Sequence, residues 1–287
     1  MDLCNSNDIK ALLGRHGFRF SKSMGQNFLI QGWVPQDIAD ASGADQTCGV
    51  LEIGPGIGPL TVQLAQRAGK VAAIELDRDL LPILAETLSP FDNVTVIPGD
   101  AMKLDLAALA AEQFPGLTPM ACANLPYNIT TPVITALIEA GCFASITVMI
   151  QREVAKRICA SPGTADYGAF SLFCQYHTVP EYLFEVPPDC FLPAPKVTSA
   201  VIRLVPRTEP VQTLASEELF FQVVRASFAQ RRKTLLNGLS AAFGDRLGKD
   251  ALRQAITLAG LPEGVRGERL GIPEFARLAH AIQSLMG

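Results

Sequence analysis

A short apolar run that ends in a glycine-rich turn is the feature that most constrains the fold of this chain. Residues 50–53 form the run, residues 54–58 (Gly-Pro-Gly-Ile-Gly) form the turn, and a helical pattern follows over 59–68. A strand, a glycine turn and a helix in this order bind nucleotide-type cofactors in doubly wound α/β folds. Glu75 follows Gly54 by 21 residues, close to the ~20 residues expected for an acid that holds a ribose.

Further apolar runs repeat this arrangement along the first two thirds of the chain, at residues 71–74, 94–97, 120–123 and 146–150. Helical stretches separate them, so the pattern predicts βαβ units and a parallel sheet. Two later runs, at 182–186 and 199–205, are predicted to close the sheet as a pair. The first four predicted strands end in groups that could bind a ligand, namely Gly54, Glu75, Asp100 and Asn124. One acid at a strand end is usually a helix cap, but four such ends in succession favour a shared site.

Glu52 is an acid inside an otherwise apolar strand. Burying it without a partner would be costly. We therefore expect it to face a polar group of a cofactor or the backbone amides of the glycine turn.

The segment Asn124-Leu125-Pro126-Tyr127 places side-chain and main-chain oxygens beside one aromatic ring. A planar base with an exocyclic amine needs two acceptors for its N–H groups and an aromatic face for its ring, and stacking is worth ~1–3 kcal/mol per base. The alternative is an ordinary strand-to-helix turn with a buried tyrosine. Phe191, at the centre of a proline-rich loop, is expected to be either a second, exposed stacking surface or an anchor of the core.

Up to residues 206–210 the sequence predicts strands that alternate with helices. Beyond this boundary the pattern is purely helical, with helices predicted at 216–230, 232–243, 249–259 and 273–285. This predicts a catalytic domain over 1–207, preceded by a basic arm, and a smaller helical domain over 208–287. Cations cluster in two places, which are Arg19 and Lys22 in the arm and Arg225, Arg231, Arg232 and Lys233 in the helical region. Each cluster is either an anion-binding face or a solvated surface. The cations of the helical region could also pair with acids such as Glu217 and Glu218.

Composition excludes several classes of protein. The seven cysteines contain no Cys-x-x-Cys pair and the three histidines lack ligand spacing, which argues against a metal site and for a reducing compartment. No apolar stretch approaches the ~18 residues of a membrane span, and Met1–Lys10 is not an apolar signal segment. The net charge of −4 means that any nucleic-acid partner must be held by a local face.

The glycine turn and Glu75 suit a nicotinamide dehydrogenase as well as a methyltransferase. A dehydrogenase needs a proton donor in the second half of the chain, but His177 stands alone and Tyr167 has no lysine four residues later. A methyltransferase needs a second acid for the adenine of its cofactor and a segment that positions the acceptor. Asp100 and the segment 124–127 supply both.

The chain resembles the small-subunit (16S) ribosomal RNA adenine N6,N6-dimethyltransferases of the KsgA/RsmA type over nearly its whole length. The motifs that carry the resemblance are residues 25–29, 52–58, 75–77, 99–100, 124–129, 151–155, 191–193 and 231–233. The resemblance implies a Rossmann-like fold that binds S-adenosyl-L-methionine, with a small helical RNA-recognition domain. Its expected cofactor residues are Asn27, Leu29, Gly54, Gly56, Glu75, Asp100 and Asn124, and its expected catalytic residues are Asn124, Leu125, Pro126, Tyr127 and Phe191.

The resemblance also implies a reaction and a partner. Two adjacent adenosines near the 3′ end of 16S ribosomal RNA would each receive two methyl groups on N6, within a pre-30S particle. The expected protein is a cytoplasmic monomer without a metal or a membrane. Three alternatives remain open at this point, which are a catalytically silent RNA-binding assembly factor, a methyltransferase acting on adenine in large-subunit RNA or DNA, and a dehydrogenase.

Overall fold

The computed structural model describes residues 1–19, 26–209, 212, 214, 216–230 and 233–286. Its strands are β1 (Phe28–Leu29), β2 (Cys48–Ile53), β3 (Lys70–Glu75), β4 (Val94–Pro98), β5 (Thr118–Asn124), β6 (Ile146–Gln151), β7 (Thr178–Val186), β8 (Phe191–Leu192) and β9 (Ser199–Pro206). Its helices are α1 (Ser6–Arg15), α2 (Trp33–Ser42), α3 (Pro59–Ala65), α4 (Leu81–Thr87), α5 (Leu106–Gln113), α6 (Thr130–Glu139), α7 (Arg152–Ile158), α8 (Ala169–His177), α9 (Glu217–Phe228), α10 (Leu235–Phe243), α11 (Lys249–Leu258) and α12 (Ile272–Met286).

The main sheet has seven strands in the order β4-β3-β2-β5-β6-β9-β7. Strands β2 to β6 are parallel to their neighbours, and β9 runs antiparallel to β6. This confirms the predicted parallel sheet and its two closing strands. Strand β2 is buried along its whole length, as expected for a parallel sheet covered on both faces.

The strand order reverses at β2, because the chain builds outward through β3 and β4 and then returns to place β5 on the other side of β2. Ligands of open α/β sheets bind at such a switch point, outside the carboxyl ends of the strands. Here the glycine turn after β2 and Asn124 at the end of β5 meet at that point. The topology alone therefore places the two most informative motifs of the sequence side by side.

Two short elements complete this edge of the sheet. Strands β1 and β8 pair antiparallel, with Leu29 opposite Phe191. Each strand is only two residues long, too short to produce a hydrophobic pattern, and the sequence analysis did not predict the pair. It joins the loop after residue 25 to the proline-rich loop, which lie more than 160 residues apart in the chain.

The N-terminal arm contains a regular helix. Asn5 caps α1 by accepting hydrogen bonds from the backbone N–H groups of Asn7 and Asp8, and the helix buries Ile9 and Leu12 in an apolar cluster. The segment is thus held by its apolar face, and only its outer face is free to carry charge.

The chain divides into two compact units, residues 1–155 with 180–206 and residues 156–179 with 207–287. The second unit is helical and has its own core, in which Tyr167, Phe220 and Phe275 are fully buried. The Tyr167 hydroxyl donates a hydrogen bond of 3.0 Å to the carbonyl of Leu270. The helical C-terminal region is confirmed. The sequence analysis had placed 156–179 with the first domain, and the functional division at residue 207 stays a prediction.

Candidate active site

A cavity of about 220 Å³ opens at the switch point of the first unit. Its wall includes every residue for which the sequence analysis predicted a catalytic or cofactor role, which are Asn27, Leu29, Gly54, Gly56, Glu75, Asp100, Asn124, Leu125, Pro126, Tyr127 and Phe191. Glu52, Leu76 and Asp77 also line it. Residues spread over more than 160 positions of sequence therefore share one concave surface.

The glycine turn has the backbone that the sequence required. Gly54 and Gly56 have φ angles of 71° and 63°, a region that residues with a Cβ rarely adopt. A Cβ on Gly56 would be in ordinary van der Waals contact with the ring of Phe28, at 3.4 Å, so the constraint at this position is its backbone conformation. The turn thus leaves its backbone accessible to a ligand.

Glu75 ends strand β3 and is almost fully buried. Its Oε1 accepts a 2.7 Å hydrogen bond from the backbone N–H of Asp77. Burial raises the pKa of Glu75 to about 7, against the opposing effect of hydrogen bonds from the Asp77 and Gly56 backbone. The carboxyl therefore holds a proton at neutral pH much more readily than an exposed glutamate does.

Glu52 is 1% exposed, and burial raises its pKa to about 8, with the nearby Glu75 adding to the rise and the Thr61 hydroxyl opposing it. Among the described residues, neither Glu52 Oε2 nor the Thr61 hydroxyl has a hydrogen-bond partner of good geometry. An unpartnered buried oxygen in the wall of a cavity is a group that a ligand can satisfy.

Asp100 follows β4 and is half-buried. Its Oδ1 accepts a hydrogen bond of 3.0 Å from the Met102 backbone, which fixes the side chain at the rim of the cavity. Asp77, which sequence reasoning did not assign a role, is held by a 2.6 Å hydrogen bond from the side-chain amide of Gln26. This contact ties the loop before β1 to the acid-bearing strand end.

The segment Asn124–Tyr127 continues from the end of β5 into α6. The Leu125 N–H donates to the Met149 carbonyl at 3.1 Å, and the Pro126 carbonyl accepts from both the Ile129 N–H and the Thr130 hydroxyl, each at 3.2 Å. The Asn124 side-chain amide has no hydrogen bond to any residue that the structure describes.

Tyr127 is half-buried, and its hydroxyl lies 2.6 Å from the hydroxyl of Ser199. Burial raises the pKa of the Tyr127 phenol, and the Ser199 hydrogen bond lowers it in part. Sequence reasoning missed Ser199, because a serine at the start of a strand gives no sign of a partner 72 residues away.

Phe191 differs from one of its two expectations, because it is not an exposed aromatic. It is 2% exposed and belongs to an apolar core cluster with Leu29 and Val186. The pairing of β8 with β1 carries the side chain inward. Phe191 is therefore a core anchor that also forms part of the cavity wall.

The predicted RNA-binding cations are only partly within the described residues, because Lys22, Arg231 and Arg232 lie outside them. Arg19, Arg225 and Lys233 are exposed. Within the described chain, no ion pair joins Arg225 or Lys233 to an acid. The acids proposed as competing partners have other contacts, because Glu217 lies 3.9 Å from His177 and Glu218 accepts a hydrogen bond from Gln222.

The parts of the chain that the structure describes contain no cluster of three His, Cys, Asp or Glu side chains suited to a metal ion. Of the helices in those same parts, none has both the length and the apolar character that a membrane crossing requires.

Three comparisons place this geometry among known proteins. Residues 17–263 match the family model described as ribosomal RNA adenine dimethylase. Ribosomal RNA small subunit methyltransferase A of Geobacillus thermodenitrificans (strain NG80-2) is 48% identical over 287 residues, covering 99% of this chain and 98% of that protein. The protein of the same name from Streptococcus pneumoniae (strain JJA) is 48% identical and covers 99% of both chains.

Solved structures are similar over most of the chain. The 23S rRNA methyltransferase ErmE is 26% identical with a TM-score of 0.68, and the match covers 90% of this chain and all of that one. A dimethyladenosine transferase from Plasmodium falciparum, 24% identical, has a TM-score of 0.72 over 90% of this chain and 98% of its own. The second likeness concerns the fold alone.

Proposed function

The chain belongs to the ribosomal RNA adenine dimethylase family, and from this membership we propose that it dimethylates adenine in small-subunit ribosomal RNA. It transfers methyl groups from S-adenosyl-L-methionine to N6 of two adjacent adenosines near the 3′ end of 16S ribosomal RNA. The observation that supports this most strongly is the shared cavity, in which the glycine turn, two strand-end acids and the segment Asn124–Tyr127 line one wall.

The residues of the cavity fit this cofactor. Glu75 would accept hydrogen bonds from the ribose hydroxyls, and Asp100 would accept from the adenine amine, while the glycine turn and Asn27 approach the rest of the molecule. The unpartnered Oε2 of Glu52 supplies a further acceptor. When bound, S-adenosyl-L-methionine supplies an electrophilic methyl group on a positively charged sulfur, and an acid-lined cavity favours that charge.

Asn124 and Leu125 are the groups that we assign to the acceptor amine. The lone pair of adenine N6 is delocalised into the ring, and two acceptors on its N–H groups would localise it for attack. The Asn124 side-chain oxygen is one acceptor. The second acceptor is the backbone carbonyl of Leu125 or of Pro126. That of Pro126 already accepts two hydrogen bonds, so the Leu125 carbonyl is the better candidate. This is positioning combined with electrostatic stabilisation, and no strong base is required.

Tyr127 would stack on the target base, which must leave its own stack to reach the cavity, while the buried Phe191 packs in the cavity wall. The first methylation replaces one N–H of N6 by N–CH3, because the alkylated, cationic nitrogen releases a proton to solvent, and one acceptor is left without a partner. The second removes the other, and unsatisfied polar groups in a dry site are unfavourable. The same two acceptors that position the substrate therefore favour release of the dimethylated product.

The substrate is ribosomal RNA, and the finer description of the partner is part of our proposal. The protein acts on a pre-30S particle, as a monomer in the cytoplasm. Residues 1–207 perform catalysis and residues 208–287 recognise RNA, with Arg225, Arg231, Arg232 and Lys233 on the RNA face and Arg19 and Lys22 extending it. Support comes from the exposure of those cations that lie within the described residues.

The test is methyl transfer to small subunits isolated from a strain that lacks this modification. Purified protein with S-adenosyl-L-methionine should produce N6,N6-dimethyladenosine at two adjacent positions of 16S RNA, detected by mass spectrometry of nuclease fragments. Asn124→Ala protein is the control for a contaminating activity. Binding of the particle without any methylation would instead indicate a catalytically silent assembly factor.

A second candidate substrate is 23S RNA, because the similar structure of ErmE is that of a 23S rRNA methyltransferase. The relatives that are 48% identical over the full chain carry the small-subunit name, and this favours 16S RNA. Naked 23S RNA and large subunits, offered in the same assay, separate the two candidates directly.

A further inference from the structure

The hydroxyl groups of Tyr127 and Ser199 form a contact that none of the roles above uses. Their oxygens are 2.6 Å apart, at the short end of the range for O–H···O hydrogen bonds. Tyr127 lies on the cavity wall, whereas Ser199 is fully buried behind it in the sheet. The contact therefore connects a residue that can touch the substrate to one that cannot.

Ser199 is held rigidly by its place in the sheet. It is the first residue of β9 and pairs with Gln151 at the end of β6, and the next residue along the chain from β6, Arg152, donates its N–H to the Thr198 carbonyl at 3.0 Å. Tyr127 lies in the loop between β5 and α6. A loop residue with two rotatable side-chain bonds gains orientation from a partner fixed in a strand.

The phenol of Tyr127 is not suited to act as a base. Burial raises its pKa above the ordinary value of about 10, so it keeps its proton at neutral pH and serves only as a hydrogen-bonding group. What the contact with Ser199 can supply is the direction of the ring.

We propose that Ser199 is a positioning residue, which fixes the ring plane of Tyr127 so that its face is ready to stack on the target adenine. This inference rests on the proposed function of the cavity. It gives Tyr127 two separable parts, a ring that contacts the base and a hydroxyl that only orients the ring.

The two hydroxyls should therefore behave as a pair. Ser199→Ala leaves the Tyr127 hydroxyl half-buried without a partner, and Tyr127→Phe leaves the Ser199 hydroxyl buried without one. An orphaned buried polar group is unfavourable, whereas replacing both partners by apolar groups can be nearly neutral. The double variant should then regain folding stability, but its ring still lacks the partner that orients it, so its loss of activity should equal that of a single variant and not the product of the two.

The experiment measures kcat and KM for small-subunit methylation with the parent, Ser199→Ala, Tyr127→Phe, Tyr127→Ala and the double variant Ser199→Ala/Tyr127→Phe. Each of the first two substitutions should lower kcat/KM by about tenfold, Tyr127→Ala should lower it further, and the double variant should lose no more than a single variant does. Effects that multiply in the double variant, or single variants within twofold of the parent, would overturn the proposal.

A second measurement does not depend on methyl transfer. RNA carrying 2-aminopurine at the target position reports stacking through quenching of its fluorescence. Quenching should weaken to a similar degree in both single variants and in the double variant, and it should disappear in Tyr127→Ala. If the parent fails to methylate small subunits but shows this pattern, the proposed function fails and the role of Ser199 stands. If the parent methylates small subunits but the variants do not show this fluorescence pattern, only the role of Ser199 is rejected and the proposed function stands.

Ser42→Ala is the matched control for a purely structural effect. Ser42 is also a buried serine of the first unit, and its hydroxyl donates to the Ala39 carbonyl at 2.7 Å, but it is absent from the cavity wall. This variant should lower the melting temperature without changing kcat/KM or the fluorescence. If it reproduces the kinetic effect of Ser199→Ala, the proposal is wrong.

Discussion

The cavity of the first unit and the surface of the second unit differ in the ionisable side chains that they present. Four acids line the cavity, which are Glu52, Glu75, Asp77 and Asp100, and its described wall contains no lysine or arginine. On the second unit, arginines lie on exposed helical surface, and several are paired with acids, as Arg253 is with Asp250 and Glu263. The exposed Arg225 and Lys233 lack such a partner in the described chain.

The difference shows how an acidic protein can act on RNA. A cavity lined by acids attracts a cationic cofactor and accepts a neutral base, but it repels phosphate. The RNA backbone must then be held by cations elsewhere, and only the base can enter. Substitutions in the cavity should therefore change chemistry and cofactor affinity, whereas substitutions in the cation cluster should change RNA affinity and its dependence on salt.

The largest expected effect is that of Asn124→Ala. Its side-chain oxygen is proposed to localise the lone pair of N6, an interaction that matters most in the transition state, so turnover should fall by about a hundredfold or more, as when one donor of an oxyanion hole is removed. RNA affinity should change much less. Single-turnover kinetics with saturating cofactor measures this.

Asn124→Asp is the informative companion, because it keeps an acceptor oxygen and should retain more turnover than Asn124→Ala. If turnover falls by less than tenfold in Asn124→Ala, another group must be the acceptor for the N6 amine. A loss confined to RNA binding would break the separation between the two regions.

The second effect concerns the buried acid. The pKa of Glu52 in the folded protein is about 8, well above its value in an unfolded chain, so the protein loses stability as pH rises between those two values. In the absence of cofactor, the free energy of unfolding of the parent should fall by roughly 2 kcal/mol more than that of Glu52→Gln between pH 6 and pH 8. Thermal unfolding at several pH values measures it.

Glu86→Gln is the control, because the contribution of Glu86 to stability depends on pH in the opposite direction. Hydrogen bonds from His16 and Arg15 hold the pKa of this exposed carboxyl below its usual value, so its contribution is lost as pH falls. If the pH dependence of stability is the same in Glu52→Gln and in the parent, the Glu52 carboxyl is not kept neutral in the empty cavity.

The third effect is that of Glu75→Ala on cofactor affinity. If Glu75 accepts hydrogen bonds from the ribose, the Kd for S-adenosylhomocysteine should rise more than tenfold, about 1.4 kcal/mol, with folding preserved. Because the ionised form accepts those bonds and the pKa is about 7, affinity in the parent should rise with pH up to that value and then level off. Calorimetry measures both, and NAD should not bind. An unchanged Kd in Glu75→Ala would remove Glu75 from the site.

The sequence predicted the position of the cavity because the carboxyl ends of parallel strands lie at the same edge of a sheet. Strands that end in Gly54, Glu75, Asp100 and Asn124 must bring those ends to one edge, whatever the details of packing. The glycine turn and the helical pattern after residue 210 are local signals of the same kind, and both were confirmed.

What the sequence did not predict depends on contacts between distant segments. The β1–β8 pair is too short to give a pattern, yet it buries Phe191. The partner of Tyr127 lies 72 residues away. The grouping of 156–179 with the helical unit arises from tertiary packing that no local periodicity records.

The smallest expected effect, and the sharpest test of the comparison, concerns the cation cluster. Binding to phosphate releases counterions, so each phosphate that a cation binds steepens the fall of affinity with salt by a slope of about 0.7–0.9. Arg231→Ala/Arg232→Ala/Lys233→Ala should weaken particle binding severalfold at physiological salt and flatten the slope by about one unit for each phosphate that is no longer bound. Cofactor affinity should not change, because the described residues of the cavity wall all belong to the first unit, whereas these cations belong to the second.

A charge-matched control separates a local face from net charge. Arg253→Ala/Arg266→Ala/Arg277→Ala also removes three positive charges from the second unit, but each of these arginines has a carboxylate partner. This triple variant should lower the melting temperature and leave the salt slope nearly unchanged. Equal flattening by both triple variants would mean that overall charge holds the RNA. A cluster variant with a lowered melting temperature and an unaltered slope would make the cluster structural, and the phosphate-binding face would then have to include other cations.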